Sequence, residues 1–224
     1  MNATNDNVDK ANKADKALLP AGMSDGLPPE AAFEAAIAEQ LMSEFGSHGY
    51  ERVKPPLLEF EQNLLRGPGA AMAEQTFRLM DPVSQRMMGL RADMTPQVAR
   101  IATTRLRNAP RPLRLSYSGQ ILRIKGTQLR ADRQFGQAGA ELIGSDNPLA
   151  DAEIILLATS AMTKQGIDNM SVDLCLPTLA PALCHDMNLS DESIQSLRDV
   201  LDRKDAADIA GMADLIGKDN AALF

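Results

Sequence analysis

Gln137 and Glu141 stand on either side of Gly139 in the run Arg133-Gln-Phe-Gly-Gln-Ala-Gly-Ala-Glu141. On a β-strand, side chains alternate between faces, so this spacing puts an amide and a carboxylate on one face. Arg133, Phe135 and Ile143 share that face. A glycine weakens a strand unless something must approach its backbone closely. An amide and a carboxylate around such a gap suit a small ligand carrying an ammonium group. The pattern equally fits a solvated strand face with a glycine bulge, and alternation alone does not choose. The opposite face, with Gly136, Ala138, Ala140 and Leu142, is small and apolar and suits packing under a helix.

Asp93-Met-Thr95-Pro96 forms a second group with chemical potential. Threonine as N-cap with proline at the first helical position starts a helix well. Val98, Ile101, Ala102 and Leu106 mark its expected buried face. Asp93 and Thr95 then sit at a strand-to-helix junction, where side chains can face a ligand. Capping is the plainer role, and Thr95 is expected to cap in any case. Lys125 and Arg130 fall in a loop over residues 124–132, between a strand over residues 112–123 and the strand opened above. The two strands pair antiparallel around it. Hairpin loops usually run about two to five residues, and longer ones are often functional.

Other reactive residues carry less. Cys175, Cys184, His48 and His185 lack the spacing of a zinc site, and Cys184-His185 lacks a base with an orienting partner. No metal or cofactor is expected. Gly67-Pro-Gly69 reads as a turn rather than a phosphate loop. A net charge of −7 argues against an overall hold on nucleic acid, leaving the local cations Lys125, Arg130 and Arg133 to a solvated loop or an acidic partner.

The elements that must position these groups follow from periodicity. Met1–Lys16 is rich in Asn, Asp, Lys and Ala without an apolar stretch, so a disordered tail over residues 1–19 is expected rather than a leader or anchor. Phe33, Ile37, Leu41 and Phe45 predict an amphipathic helix from about Glu30, ended by Gly46 or Gly49. Tyr50–Val53 reads as a short strand stopped by Pro55-Pro56. Two short strands, residues 76–80 and 86–91, flank a turn at 81–85. Asn147-Pro148 should cap a helix carrying Ile154, Leu157, Ala158 and Met162, with Gly166 ending it. Residues 171–174 read as a strand, and 178–187, 190–203 and 206–216 as helices. No run reaches the ~20 apolar residues of a membrane span. Two isolated thiols fit a reducing cytoplasm.

In combination, this order resembles the catalytic domain of class II aminoacyl-tRNA synthetases, in the histidyl-tRNA synthetase branch. The first helix with Val53-Lys-Pro-Pro56 resembles motif 1, and Leu122-Arg123, the loop and Phe135 resemble motif 2. Leu90-Arg-Ala-Asp93-Met-Thr95 resembles the strand end that holds the amino group of histidine. Gln137, Gly139 and Glu141 fall where that family contacts histidine. The resemblance covers residues 20–174 and implies an α+β fold, an antiparallel sheet flanked by helices, with self-association through the motif 1-like region. It also implies that Asp93 and Glu141 face the ligand ammonium, Thr95 and Gln137 orient it, and Arg123 meets its carboxylate.

The departures from that pattern shape the expected function. A glutamate that contacts adenine in the synthetases is replaced by Lys125, which exchanges an acceptor for a three-donor cation. No motif 3 arginine or anticodon-binding segment occurs before Phe224. Residues 197–205 resemble a helical segment of the regulatory subunits of short-form ATP phosphoribosyltransferase, which are synthetase-like but do not aminoacylate. That resemblance implies a cytoplasmic, non-catalytic protein of histidine biosynthesis. Its partner would be the catalytic phosphoribosyltransferase subunit and its effector histidine, and residues 175–224 would be a helical segment of an incomplete chain. A histidyl-tRNA synthetase fragment and a stand-alone histidine-binding module remain the alternatives.

Overall fold

The computed structural model describes residues 19–127, 131–174, 190–203 and 211. The tail over 1–18, the helix expected over 178–187, and Arg130, Cys175, Cys184 and His185 lie outside them. So does the helix expected over 206–216, except Gly211, which is helical. The chain divides into two units, residues 1–169 and 170–224.

Helix α1, Glu30–Ser47, begins the first unit. Gly49, at φ +82°, lets the chain reverse while Tyr50 N–H donates to the Phe45 carbonyl at 3.0 Å. The apolar stripe of α1 is buried only toward its C-terminal end. Phe45 is buried with Met42, Tyr50, Leu157 and Ala161, whereas Phe33 is 69% exposed.

Strand β1, Glu51–Arg52, runs parallel to the later strand β5, Leu113–Leu122, and stops before the prolines as expected. β5 pairs antiparallel with strand β6, Gln134–Ile143, placing Tyr117 opposite Gly139 and Gly119 opposite Gln137. The expected antiparallel sheet is therefore mixed, in the order β1-β5-β6. A second sheet, not anticipated from the sequence, joins β2 (Leu58–Phe60), β4 (Met87–Leu90) and β3 (Arg78–Met80) in the order β2-β4-β3. The hairpin β3-β4 was expected; its third strand follows too closely on Pro56 to show a period of its own. Short helix α2, Glu61–Leu64, and a 3-10 helix, Gly67–Gln75, connect the two edges. Gly67-Pro-Gly69 thus opens a 3-10 helix rather than forming a plain turn.

The two faces of β6 separate as their alternation predicts. Phe135 and Ile143 pack on the core of Met94, Val98, Ala102, Leu113, Leu115, Tyr117 and Ile121, beside helix α3, Thr95–Thr103. Ala140 and Leu142 pack instead under α1 and helix α4, Pro148–Lys164. Asn147 Oδ1 accepts from Leu149 N–H at 2.9 Å, the expected cap, and Gly166 at φ +80° follows the last turn. Two carboxylates clamp α4. Glu153 accepts from Tyr50 at 2.9 Å and from two nitrogens of Arg114 at 2.6 and 2.7 Å. Buried Glu44 accepts from Ser160 at 2.6 Å and from Lys164.

In the second unit, residues 171–174 are irregular, and the strand expected there is absent. A strand needs a neighbour to receive its ladder, and Leu174 is 72% exposed. Helix α5, Asp191–Arg203, buries Leu197 completely. No helix among the described residues is long and apolar enough to cross a membrane.

Candidate amino-acid site

Asp93, Thr95, Gln137 and Glu141 come together on the α3 side of the β5-β6 hairpin. Gln137 fixes the strand-to-helix arm twice, its Oε1 accepting from Met94 N–H and its Nε2 donating to Asp93 Oδ1, both at 2.9 Å. Thr95 N–H donates to the same Asp93 oxygen at 3.0 Å. Thr95 is consequently not the N-cap: that position belongs to Met94, and Thr95 begins the helix itself. The Gln97 and Val98 N–H groups, which a Thr95 cap would have met, donate to the Met94 carbonyl at 3.0 and 3.1 Å instead. This leaves the Thr95 hydroxyl free to lie 2.9 Å from the Tyr117 phenol.

Tyr117 completes the site. Its hydroxyl donates to Glu141 Oε1 at 3.0 Å, forming a chain from Thr95 through Tyr117 to Glu141. Burial, above all, pushes the phenol pKa up, and the neighbouring charges of Glu141 and Asp93 add to it, against the Thr95 bond. The phenol therefore stays a donor toward Glu141. Its ring lies over Gly139, where a Cβ would fall 3.0 Å or less from three of its atoms. The glycine gap expected to admit a ligand is filled by the protein's own tyrosine. Sequence reading did not single out Tyr117. The available signal was an aromatic residue on the strand pairing with a glycine-containing one, which becomes specific only once register is known.

Two acceptors stay open. Asp93 Oδ2 and Glu141 Oε2 make no hydrogen bond among the described residues, and both residues are half-buried. Two carboxylate oxygens flanking a fixed amide and a phenol can receive an ammonium group or a protonated ring.

Arg123 stands apart from this chain. Its Nε donates to the Ala92 carbonyl at 3.2 Å, beside Asp93, and its guanidinium lies 5.3 Å from the Phe135 ring centroid. Its terminal nitrogens have no hydrogen-bond partner among the described residues, so an anion could be held there. Lys125 is exposed, with its backbone N–H donating to Gln75 Oε1 at 3.3 Å. With Arg123 and Phe135 it lines a small cleft of about 50 Å³. No group of three or more metal-ligating side chains occurs among the described residues.

A mixed sheet whose β5-β6 hairpin carries a strand-to-helix arm has the fold of a class II aminoacyl-tRNA synthetase domain. The chain belongs to the histidyl-tRNA synthetase family, whose profile matches residues 22–223. It is 61% identical over 196 residues to a protein of Rhodospirillum centenum named ATP phosphoribosyltransferase regulatory subunit, covering 88% of this chain and 51% of that protein. A protein of the same name from Paramagnetospirillum magneticum is 60% identical, covering 88% of this chain and 52% of its own length. Among solved structures, an ATP phosphoribosyltransferase regulatory subunit/histidyl-tRNA synthetase from Bacillus halodurans C superposes with a TM-score of 0.72 at 28% identity. That match covers 85% of this chain and 49% of the other. The chain spans about half the length of the curated relatives it matches.

Proposed function

We propose that this chain is the synthetase-like half of a regulatory subunit of ATP phosphoribosyltransferase. The subunit performs no chemistry itself. It assembles in the cytoplasm with the catalytic subunit, self-associates through α1 and Pro55-Pro56, and carries histidine as a feedback effector. One observation supports this reading: the polar side chains at the expected histidine positions lie together, while a lysine stands at the expected adenine position. Asp93, Thr95, Tyr117, Gln137 and Glu141 are tied into one network with two free carboxylate oxygens, whereas Lys125 replaces the adenine acceptor beside a cleft of about 50 Å³. Asp93 and Glu141 receive the ligand's positive groups, Thr95 and Gln137 orient it, and Arg123 pairs with its carboxylate. Histidine acts as an effector by binding two assembly states unequally, since equal binding shifts nothing.

Reconstitution tests this proposal. The full-length protein mixed with the catalytic subunit should support phosphoribosyl transfer to ATP that neither shows alone, and histidine should inhibit the mixture. Histidine-dependent pyrophosphate exchange with ATP by this protein alone would instead favour a synthetase. Failure to co-purify with the phosphoribosyltransferase would favour a stand-alone binding module.

A further inference from the structure

The arm that carries Asp93 and Thr95 is held from two sides. Gln137 grips it from β6, as described. From the other side, two of its own side chains reach consecutive carbonyls of the proline segment. Arg91 Nη1 donates to Pro55 O at 2.9 Å, and Gln97 Nε2 donates to Pro56 O at 2.8 Å. Arg91 Nε also donates to Gln120 O at 2.8 Å, and its own backbone N–H reaches Leu57 O at 3.1 Å. Gly119 makes the room: a side chain there would fall on the Arg91 guanidinium.

Neither residue is a natural choice for stability alone. Arg91 is 7% exposed and has no carboxylate partner among the described residues; Gln97 is 1% exposed and its Oε1 has no hydrogen-bond partner among them. Burying an unpaired cation and half-satisfying an amide both oppose folding. What the pair supplies is direction. Only donors can face the two carbonyls, so the Gln97 amide cannot be reversed, and the proline segment must follow the arm. Pro56, Leu57 and Leu58 are exposed, and the segment's outer side lines an open groove of about 470 Å³ with Lys54, Leu58 and Met88.

We propose that Arg91 and Gln97 are positioning residues that couple the amino-acid cradle to the Pro55–Leu58 segment, so that filling the cradle stills that segment and its groove. The inference rests on the reading that Asp93 and Thr95 hold histidine. Hydrogen–deuterium exchange on the full-length protein, with and without saturating L-histidine, tests it alongside calorimetry. In the wild type, histidine should slow exchange of peptides spanning Leu57–Phe60 by about threefold or more, since local opening is what exchange reports. In Gln97→Met, calorimetry should still detect histidine while the slowing at Leu57–Phe60 disappears. Arg91→Lys, which keeps the charge but loses the fork, should reduce the slowing. Histidine binding to the wild type without slowing at Leu57–Phe60 overturns the coupling and leaves the site standing, and slowing that persists in Gln97→Met does the same. No histidine binding to the wild type removes the site itself, and the coupling with it.

Discussion

Tyr117 over Gly139 decides how this cluster is assembled, because its hydroxyl joins Glu141 to the linked Asp93, Thr95 and Gln137. Gly139→Ala should push the phenol away, destabilising the fold by about 1–3 kcal/mol in urea titration, the usual cost of overpacking. Tyr117→Phe keeps the ring and removes the bridge. It leaves half-buried Glu141 Oε1 without its donor and should cost about 0.5–1.5 kcal/mol, the net worth of one hydrogen bond. Much of this site was readable in advance. Gln137 and Glu141 share a face by simple alternation, and Asp93 and Thr95 fall at a junction marked by Pro96. The Tyr117–Gly139 contact was not readable, because pairing register is a property of two strands and neither states it alone. The Thr95 cap failed for a related reason, since the helix starts one residue earlier and the Met94 carbonyl takes the Gln97 and Val98 donors.

Among the elements, α1 shows where periodicity misleads. Phe33, Ile37, Leu41 and Phe45 read as one stripe, yet burial falls along it from Phe45 to Phe33. Helical period reports which face is apolar, not what covers it. Phe45→Ala should cost about 3–5 kcal/mol of stability as a core truncation, whereas Phe33→Ala should stay within about 0.5 kcal/mol. If α1 mediates self-association, Phe33→Ala should instead weaken the dimer, read by sedimentation at fixed concentration. Helix α4 was legible at both ends because Asn147 and Gly166 are strong local signals. Its clamp was not, since Glu44 meets Ser160 and Lys164, and Tyr50 and Arg114 meet Glu153, only across long sequence separations.

The clamp also sets how the whole molecule responds to pH. Hydrogen bonding from Lys164 first, and then from Ser160, holds the Glu44 pKa down at about 2, and Arg114 foremost does the same for Glu153, also about 2. Both folded values lie below the unfolded 4.5. Their stabilisation is therefore present above pH 4.5 and is lost as pH falls toward 2. Tyr50 acts at the other end, with burial and then Glu153 raising its pKa from 10.0 to about 12. Its contribution is complete below pH 10 and fades as pH rises through 12. Thermal unfolding across pH should show both edges, and Glu44→Gln should flatten the acid one. At this scale the fold class was legible because element order is specific even where single motifs are weak. The second sheet was not, since three-residue strands carry too little alternation to announce themselves.

The central claim is that the amino-acid cradle is retained and binds histidine through Glu141. Calorimetric titration of the full-length protein with L-histidine, repeated on Glu141→Ala, tests it most directly. The account predicts saturable binding to the wild type, weakened about ten- to hundredfold in the variant, the worth of a charge-assisted hydrogen bond. Equal affinity in both proteins would contradict it.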